Sequence, residues 1–197
     1  MDLSAVCDHE PTAVTDQQRE SAVIVPVLTG EPRLLFTKRA EDLPHHPGQM
    51  SFPGGRHEPE DKTLHKTALR EGNEEVCLDA TEVAFVSRID DIRTVTNFSV
   101  RPFVARVPDR EYHPCSPEVA ETAVLSLSAL TDLDNYDSEW RDHPYHGHIR
   151  LHYFRIDGYT VWGATARMLV QFLELATDWT VPPEADRVVD ADAEFPV

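Results

Sequence analysis

Apolar residues concentrate between residues 22 and 176, and along much of this stretch their spacing is that of strands. Runs that are rich in β-branched and aromatic residues, or that alternate in polarity, predict strands because side chains alternate across a pleated sheet. Turn residues at 29–32 and at Asp157-Gly158 separate neighbouring runs, which predicts two hairpins. The predicted strands are residues 22–28, 33–39, 82–89, 99–107, 118–127, 148–156 and 159–161.

Helical periodicity replaces this pattern in two places. Residues 62–76 contain no proline, and apolar side chains recur there every three or four positions. This spacing predicts an amphipathic helix, which Glu60 or Asp61 would cap. Residues 162–176 predict a second, more apolar helix, and a short helix is expected to begin at residue 128.

Polar segments separate and flank these elements. Residues 1–21 and 177–197 lack strong apolar periodicity, and the second is rich in prolines and acids, so both are predicted to be tails. Residues 135–148, which include His146, are predicted to be a loop and a candidate substrate lid. His45 and His46 are interpreted as loop residues with structural hydrogen bonds.

Size and composition fit one globular domain, which we place at residues 22–176. The chain has 197 residues, of which 41% are hydrophobic, enough for a single core. No apolar run approaches the roughly 18 residues that cross a bilayer, and no basic-then-apolar signal opens the chain. We therefore expect no membrane partner. Cys7, Cys77 and Cys115 are few and far apart, so we expect free thiols in a reducing cytoplasm.

Three acidic residues crowd one edge of the predicted helix at 62–76. Glu71, Glu74 and Glu75 lie at i, i+3 and i+4, which places them together, with Arg70 beside them. A divalent cation would offset their mutual repulsion, and all-oxygen ligands suit Mg²⁺ or Mn²⁺. Mg²⁺ takes one or two carboxylates together with waters and substrate phosphates, so the pattern indicates a phosphate-containing ligand. The alternative is a solvated acidic face on an acidic protein.

The segment from Gly54 to Leu78 ends Arg-Glu-Gly-Asn-Glu-Glu-Val-Cys-Leu and resembles the Nudix box, a metal-binding loop–helix–loop motif. The family pattern ends Arg-Glu-apolar-x-Glu-Glu-x-Gly-apolar. The chain departs from it at Gly72, at Cys77 and in a loop that is one residue longer. Gly72 is expected to let the helix lie close to the sheet, and Cys77 stands where a left-handed exit turn favours glycine. The resemblance implies a fold that combines α-helices and β-strands (α/β, or α+β). This fold is the Nudix αβα sandwich, which has a mixed central sheet.

The same resemblance implies Mg²⁺-dependent hydrolysis of a diphosphate. Glu71, Glu75 and Glu74 would bind Mg²⁺ or Mn²⁺, and a metal-bound water would attack phosphorus in line. Glu71 would help to deprotonate this water, and Arg70 would orient Glu71 through a bidentate pair. The implied partner is a small nucleoside diphosphate derivative.

Other residues complete the implied site. Glu121 best fits the family's glutamate on a later strand, which completes the metal site or acts as the base, and Glu118 is the second candidate. Arg39 ends a predicted strand near the bend, where a guanidinium suits a diphosphate; the alternative is a surface arginine. Gly54 and Gly55 are expected to approach the substrate or metal with their backbone.

A second resemblance is to the coenzyme A pyrophosphatase branch of this family. Leu-Phe-Thr-Lys-Arg-Ala at 35–40 and His-Pro-Gly-Gln-Met-Ser-Phe-Pro-Gly-Gly at 46–55 carry it, and Pro44 replaces the usual arginine. The implied reaction converts coenzyme A or an acyl-CoA to 3′,5′-ADP and 4′-phosphopantetheine or its acyl form. Alternative substrates are ADP-ribose, a dinucleotide or a nucleoside triphosphate. A further alternative is a nucleotide sensor that does not cleave.

The charge composition bears on partners and environment. A net charge of −17 argues against a nucleic-acid ligand, because such binding neutralises phosphates with basic residues. Only Lys38, Lys62 and Lys66 are lysine among the 18 basic residues. An acidic, lysine-poor composition resembles that of halophilic proteins, in which salt screens self-repulsion. The alternative is a merely acidic mesophilic protein. The composition does not determine the oligomeric state, and a homodimer is possible.

If the chain is halophilic, its melting temperature will rise between millimolar and molar NaCl, because the added salt screens the excess of carboxylates. Circular dichroism melts across a salt series measure this change. A melting temperature that is constant across the series would contradict the halophilic interpretation.

Overall fold

A computed structural model of the chain describes residues 1–44, 46–94, 97–143, 147–190 and 193. His45, His146 and the end of the predicted tail, residues 194–197, lie outside them. In chain order the strands and α-helices are α1 (Ser4–Asp8), β1 (Arg19–Leu28), β2 (Arg33–Arg39), β3 (Met50–Ser51), β4 (Gly54–Arg56), α2 (Leu64–Val76), β5 (Ala84–Arg88), β6 (Ile92–Arg93), β7 (Phe98–Val107), β8 (Val119–Ser126), α3 (Leu127–Leu130), β9 (Tyr136–His143), β10 (Gly147–Ile156), β11 (Tyr159–Trp162), α4 (Gly163–Ala176) and β12 (Arg187–Val189).

Strand β1 lies at the centre of the main sheet. It pairs in parallel with β7 along its whole length and antiparallel with β2 and β4. The strand order is β3-β2-β1-β7-β5, with β8 beside β2 and β6 beside β7. Parallel and antiparallel pairs together make a mixed sheet, which confirms the predicted fold class.

Helices cover both faces of this sheet. Ala22 and Ile24 of β1 pack on the side of α2, whereas Val23 and Val25 pack on the side of α4. A strand that is covered on both faces reads as a continuous apolar run, which explains the sequence of β1. The layers form an αβα sandwich, as the family resemblance implied.

Gly72 lets α2 lie close to β1, as expected. A β-carbon at position 72 would lie 3.0 Å from Ile24 Cδ1, closer than ordinary van der Waals contact. At the end of α2, Cys77 adopts φ 51° and ψ 38°, the left-handed conformation that the family fills with glycine. The exit turn is therefore kept despite the cysteine.

The predicted cap of α2 is wrong. Thr63 is the N-cap, and its hydroxyl accepts the Lys66 N–H at 3.2 Å. Glu60 and Asp61 lie before it, and the Asp61 carboxylate accepts hydrogen bonds from Arg70. Threonine serves as well as an acid at this position because its oxygen satisfies a free N–H of the first turn.

The predicted loop at 135–148 is also wrong in large part. Residues 136–143 form β9, and β10 begins at Gly147; both belong to a second sheet of order β11-β10-β9-β12. Glu139 and Arg141 are almost fully buried there, and their side chains pair at 2.9 Å. A buried ion pair gives a strand the polar composition of a loop, so the pattern of this segment misled the prediction.

The chain ends are part of the folded core. Leu3 and Val6, on or beside α1, and Trp179, beyond α4, are buried in the cluster that includes α4. Strand β12 pairs in parallel with β9. The prediction of a C-terminal tail without fixed structure is therefore wrong for the described residues up to 190. Isolated apolar residues in a polar segment produce no periodic pattern, which is why the sequence did not predict their burial.

The prediction of three free thiols is wrong for two of them. Cys77 and Cys115 form a disulfide with their α-carbons 5.7 Å apart, whereas Cys7 is free and exposed. The partners are 38 residues apart in sequence, so only the packing of the loop before β8 against the end of α2 brings them together.

Among the described residues, no helix is long and apolar enough to cross a membrane.

Trp179→Ala is expected to lower the free energy of unfolding by about 3–5 kcal/mol, because a large buried aromatic side chain is lost. Trp179 is 8% exposed and packs against Tyr136 and Phe154 with ring centroids 5.3 and 5.9 Å away. Urea unfolding measures the change, and Thr180→Ala, at an exposed neighbour, is the control. Equal stability of the two variants would show that residue 179 does not anchor the C-terminal segment.

Candidate active site

The bend before α2 brings the backbone of two glycines against its acidic edge. The Gly54 N–H donates to Glu75 Oε2 at 3.1 Å. A β-carbon at Gly54 would lie 2.4 Å from the Ala22 carbonyl oxygen, and one at Gly55 would lie 2.3 Å from Glu71 Oε1. Position 54 requires glycine, because a β-carbon there would meet the strand backbone and the φ of 156° is one that side chains rarely adopt. At position 55 a side chain would instead displace the Glu71 carboxylate.

Glu75 is the most buried acid of this edge. It is 7% exposed, and burial raises its pKa from 4.5 to about 8. The Gly54 N–H and the charge of Arg39 act in the opposite direction, while Glu71 and Glu118 add repulsion. A carboxylate in this environment is costly to ionise unless a cation approaches it.

Glu71 and Glu74 differ in exposure. The Glu71 side chain is 16% exposed, and burial raises its pKa, although Arg70 Nη1 lies 3.0 Å from its Oε1 and opposes the shift. Glu74 is 54% exposed and lies 3.1 Å from the same nitrogen of Arg70. Glu71 and Glu75 therefore face the glycine bend together, while Glu74 stands at the solvent edge.

Arg70 is held by a residue that sequence reasoning assigned only as a helix cap. Asp61 accepts from Arg70 Nε at 3.2 Å and from Nη2 at 3.0 Å, and it also accepts from the Thr67 hydroxyl at 2.9 Å. Arg70 lowers the pKa of Asp61 to about 2, so this carboxylate stays ionised. Arg70 Nη2 also donates to the Arg56 carbonyl at 2.9 Å. The guanidinium is thus fixed on one side and presents Nη1 to Glu71.

Arg39 and Glu118 lie on the strand side of the site. Arg39 Nη2 is 4.0 Å from Glu118 Oε2, and the Ala40 N–H donates to the Glu118 carbonyl at 2.9 Å. The charges of both side chains act on the pKa of Glu75: Arg39 lowers it and Glu118 raises it. Arg39 Nε is buried and finds no hydrogen-bond partner in the part of the chain that the structure describes.

Glu121 is placed apart from these residues. In the β2–β8 register Lys38 pairs with Glu121 and Phe36 with Ala123, so Glu121 shares the sheet face that packs against α4. Its carboxylate accepts the Tyr159 hydroxyl hydrogen bond. An irregularity in the register after Lys38 separates it from Glu118. The structure brings Glu118, not Glu121, towards Glu75.

The donor set fits a hard divalent cation. No three His, Cys, Asp or Glu side chains within the described ranges are grouped closely enough to hold an ion by themselves. Glu71, which is partly buried, and Glu75, which is buried, nevertheless supply two carboxylates at the glycine bend. Mg²⁺ commonly takes one or two carboxylates and completes its shell with water and phosphate oxygens. Burial raises the pKa of both acids despite the arginines beside them, so a divalent cation bound here would reduce the cost of ionising them.

In the metal-free protein, Glu75→Gln is expected to raise the free energy of unfolding by a few kcal/mol at about pH 8.5 and to leave it nearly unchanged at about pH 4.5. The folded carboxyl titrates at about 8 against 4.5 in the unfolded chain. Between these values the unfolded chain releases a proton that the folded state keeps, so stability falls as pH rises. The amide oxygen of glutamine can still accept the Gly54 N–H.

Urea unfolding with a chelator at both pH values measures this effect. Glu184→Gln, which removes an exposed carboxylate far from the bend, is the control and is expected to change stability little at either pH. An identical response of the two variants would contradict the raised pKa of Glu75.

Comparison with known proteins identifies the family of the chain. The NUDIX domain family model matches residues 18–159. A protein named uncharacterized Nudix hydrolase NudL from Cronobacter sakazakii is 38% identical over 159 residues, which cover 77% of this chain and 80% of that protein. Its counterpart from an Enterobacter species is 36% identical over 157 residues, with the same shares of both chains.

Among solved structures, a Nudix hydrolase from Alicyclobacillus acidocaldarius is 19% identical and has a TM-score of 0.49, covering 61% of this chain and 84% of that one. The family model spans well over half of the chain, and the relatives exceed 30% identity across most of their length. The chain therefore belongs to the Nudix hydrolase family, whose enzymes act on phosphoric anhydrides.

Proposed function

We propose that this enzyme is a Mg²⁺- or Mn²⁺-dependent diphosphatase that cleaves coenzyme A or an acyl-CoA into 3′,5′-ADP and 4′-phosphopantetheine or its acyl form. The observation that carries the diphosphatase chemistry is the pair of carboxylates, of buried Glu75 and partly buried Glu71, that face the Gly54-Gly55 backbone. Such a pair has little use in a folded protein unless a cation and an anionic substrate meet there.

Glu71 and Glu75 would hold the ion, and Glu74 would add negative charge beside it. The ion, when bound, would offset the charge that develops on the diphosphate oxygens in the transition state. Arg70, fixed by Asp61, holds Glu71 in place and does not need to touch the substrate. The Glu71 carboxylate is then positioned to accept a proton from the water that attacks phosphorus in line.

Arg39 would bind the diphosphate. Its Nε is buried without a partner among the described residues, and its Nη2 reaches Glu118 only at 4.0 Å, so the guanidinium is weakly engaged. A fork of N–H donors suits phosphate oxygens. Of the two glutamates put forward on and before β8, Glu118 is the better candidate for the further carboxylate of the site. It lies beside Arg39, whereas Glu121 is on the sheet face that packs against α4 and accepts the Tyr159 hydroxyl hydrogen bond.

The coenzyme A assignment is supported by the segments at 35–40 and 46–55 that resemble the coenzyme A branch. The second of these leads directly into the bend, and Ile24 N–H donates to the Pro53 carbonyl at 2.8 Å, which ties the segment to β1. Pro44 replaces the arginine usual in that branch, so ADP-ribose and dinucleotides remain the alternative substrates to be tested.

A turnover assay with Mg²⁺ in molar salt, on coenzyme A, acetyl-CoA, ADP-ribose and NADH, tests the proposal. We expect coenzyme A or acetyl-CoA to have the highest kcat/KM, with 3′,5′-ADP identified by chromatography. Preferred cleavage of ADP-ribose or NADH would overturn the coenzyme A assignment. Tight binding of one compound without cleavage of any would favour a sensor.

Glu75→Gln is expected to lower kcat by about 10³-fold or more, because it removes a charged metal ligand while keeping the Gly54 hydrogen bond. Glu184→Gln is the matched control and should retain wild-type turnover. Circular dichroism verifies that both variants are folded. Near-normal rates for Glu75→Gln would remove Glu75 from the metal site.

A further inference from the structure

The Cys77–Cys115 disulfide joins two parts of the proposed site. Cys77 lies two residues after Glu75, at the end of α2, and Cys115 lies three residues before Glu118. A backbone hydrogen bond runs alongside the disulfide, from the Cys115 N–H to the Glu75 carbonyl at 2.9 Å. The segment that leads to Glu118 is thus fastened covalently beside the metal-binding edge of α2.

Apart from the disulfide, Glu118 is held mainly through its backbone, whose N–H donates to the Ser116 hydroxyl at 3.2 Å. Its side chain is 60% exposed, its carboxylate lies 4.0 Å from Arg39, and its carbonyl accepts the Ala40 N–H. Strand β8 begins only at Val119. On the other side of Cys115, Tyr112 is 5% exposed and packs in the core beside α2. Residues 113–118 therefore form a short bridge between two firm anchors, and the disulfide is its main attachment to α2.

The disulfide is open to reagents in solution. Both Cys77 and Cys115 are exposed residues. Thiolates reach exposed disulfides readily, and exposed disulfides are among the labile, regulatory ones. Because Tyr112 and Arg110 still anchor the loop, and Arg110 Nη2 donates to the Cys77 carbonyl at 3.0 Å, reduction would free residues 113–118 without unfolding the domain.

We propose that this disulfide is a redox-controlled positioning device that holds Glu118 beside Glu75 and Arg39, so that the oxidised enzyme is the more active form. The effect on turnover rests on the proposed function. A dithiol reductant would transfer two electrons and two protons to the disulfide: the S–S bond breaks, Cys77 and Cys115 become thiols, and the reductant becomes a disulfide. Freed residues 113–118 would let Glu118 leave the site, and oxidation would restore it.

The test uses the full chain with Cys7→Ser, so that only the disulfide pair responds to dithiothreitol. Reduction is expected to lower kcat by about 10-fold to 100-fold, the size of effect that a misplaced catalytic group produces, with KM changed less than about twofold. Reoxidation should restore kcat. Cys77→Ser with Cys115→Ser should match the reduced enzyme and should no longer respond to dithiothreitol.

Glu118→Gln separates positioning from general stability. In this background the disulfide has no carboxylate left to position, so reduction should cause almost no further loss of kcat. An equal loss with and without Glu118 would show that the disulfide is merely structural and would overturn the proposal. So would a kcat that does not respond to reduction in either background. Melting curves of each form establish that all are folded at the assay temperature.

Hydrogen exchange gives a readout that does not depend on turnover. Reduction should speed exchange of the Cys115 and Ala40 amides, whose acceptors are the Glu75 and Glu118 carbonyls, and leave the Ile24 amide protected. Unchanged protection would overturn the proposal even if no tested compound is cleaved. If reduction speeds the exchange of these two amides but no compound is cleaved, the result would count against the proposed function alone.

Discussion

The site depends on the burial of the Glu75 carboxylate against the Gly54 N–H. A buried acid with one backbone donor and other acids nearby is costly to ionise, and its pKa rises to about 8. The fold imposes this cost because Gly72 lets α2 lie against Ile24 and the glycine bend closes over the end of β1. The same closeness that penalises the charge is what suits the site to the divalent cation that we propose.

A second layer of charges keeps this arrangement fixed. Asp61 holds Arg70 through two nitrogens, and Arg70 in turn presents Nη1 to Glu71 and Glu74. Since the side chain of Asp61 is 6% exposed and its pKa is lowered to about 2, the Asp61–Arg70 pair stays ionised at the pH at which Glu75 titrates. On the strand side, Arg39 and Glu118 are less restrained, and the Cys77–Cys115 disulfide supplies part of their order.

Much of the site follows from local spacing. Residues three and four apart on one helix must share an edge, so the grouping of Glu71, Glu74 and Glu75 needed no tertiary information. The choice between Glu118 and Glu121, by contrast, required the tertiary structure. An irregularity in the β2–β8 register after Lys38 changes which side chains face α2, and such an irregularity leaves no periodic signal in the sequence. The sequence likewise shows Asp61 as an acid near the helix, but it does not show that Arg70 is its partner.

The sequence by itself determined the helix at the glycine bend and its acidic edge, because both rest on local periodicity and on residue types that permit few backbone conformations. The mixed sandwich was implied by the resemblance of this segment to the Nudix box. Only the tertiary structure decided which acids are buried, how the strand with Glu139 and Arg141 hides its ion pair, and which cysteines meet. These features depend on contacts between residues far apart in the chain. Their energy comes from burial and pairing, and no short window of sequence contains both partners.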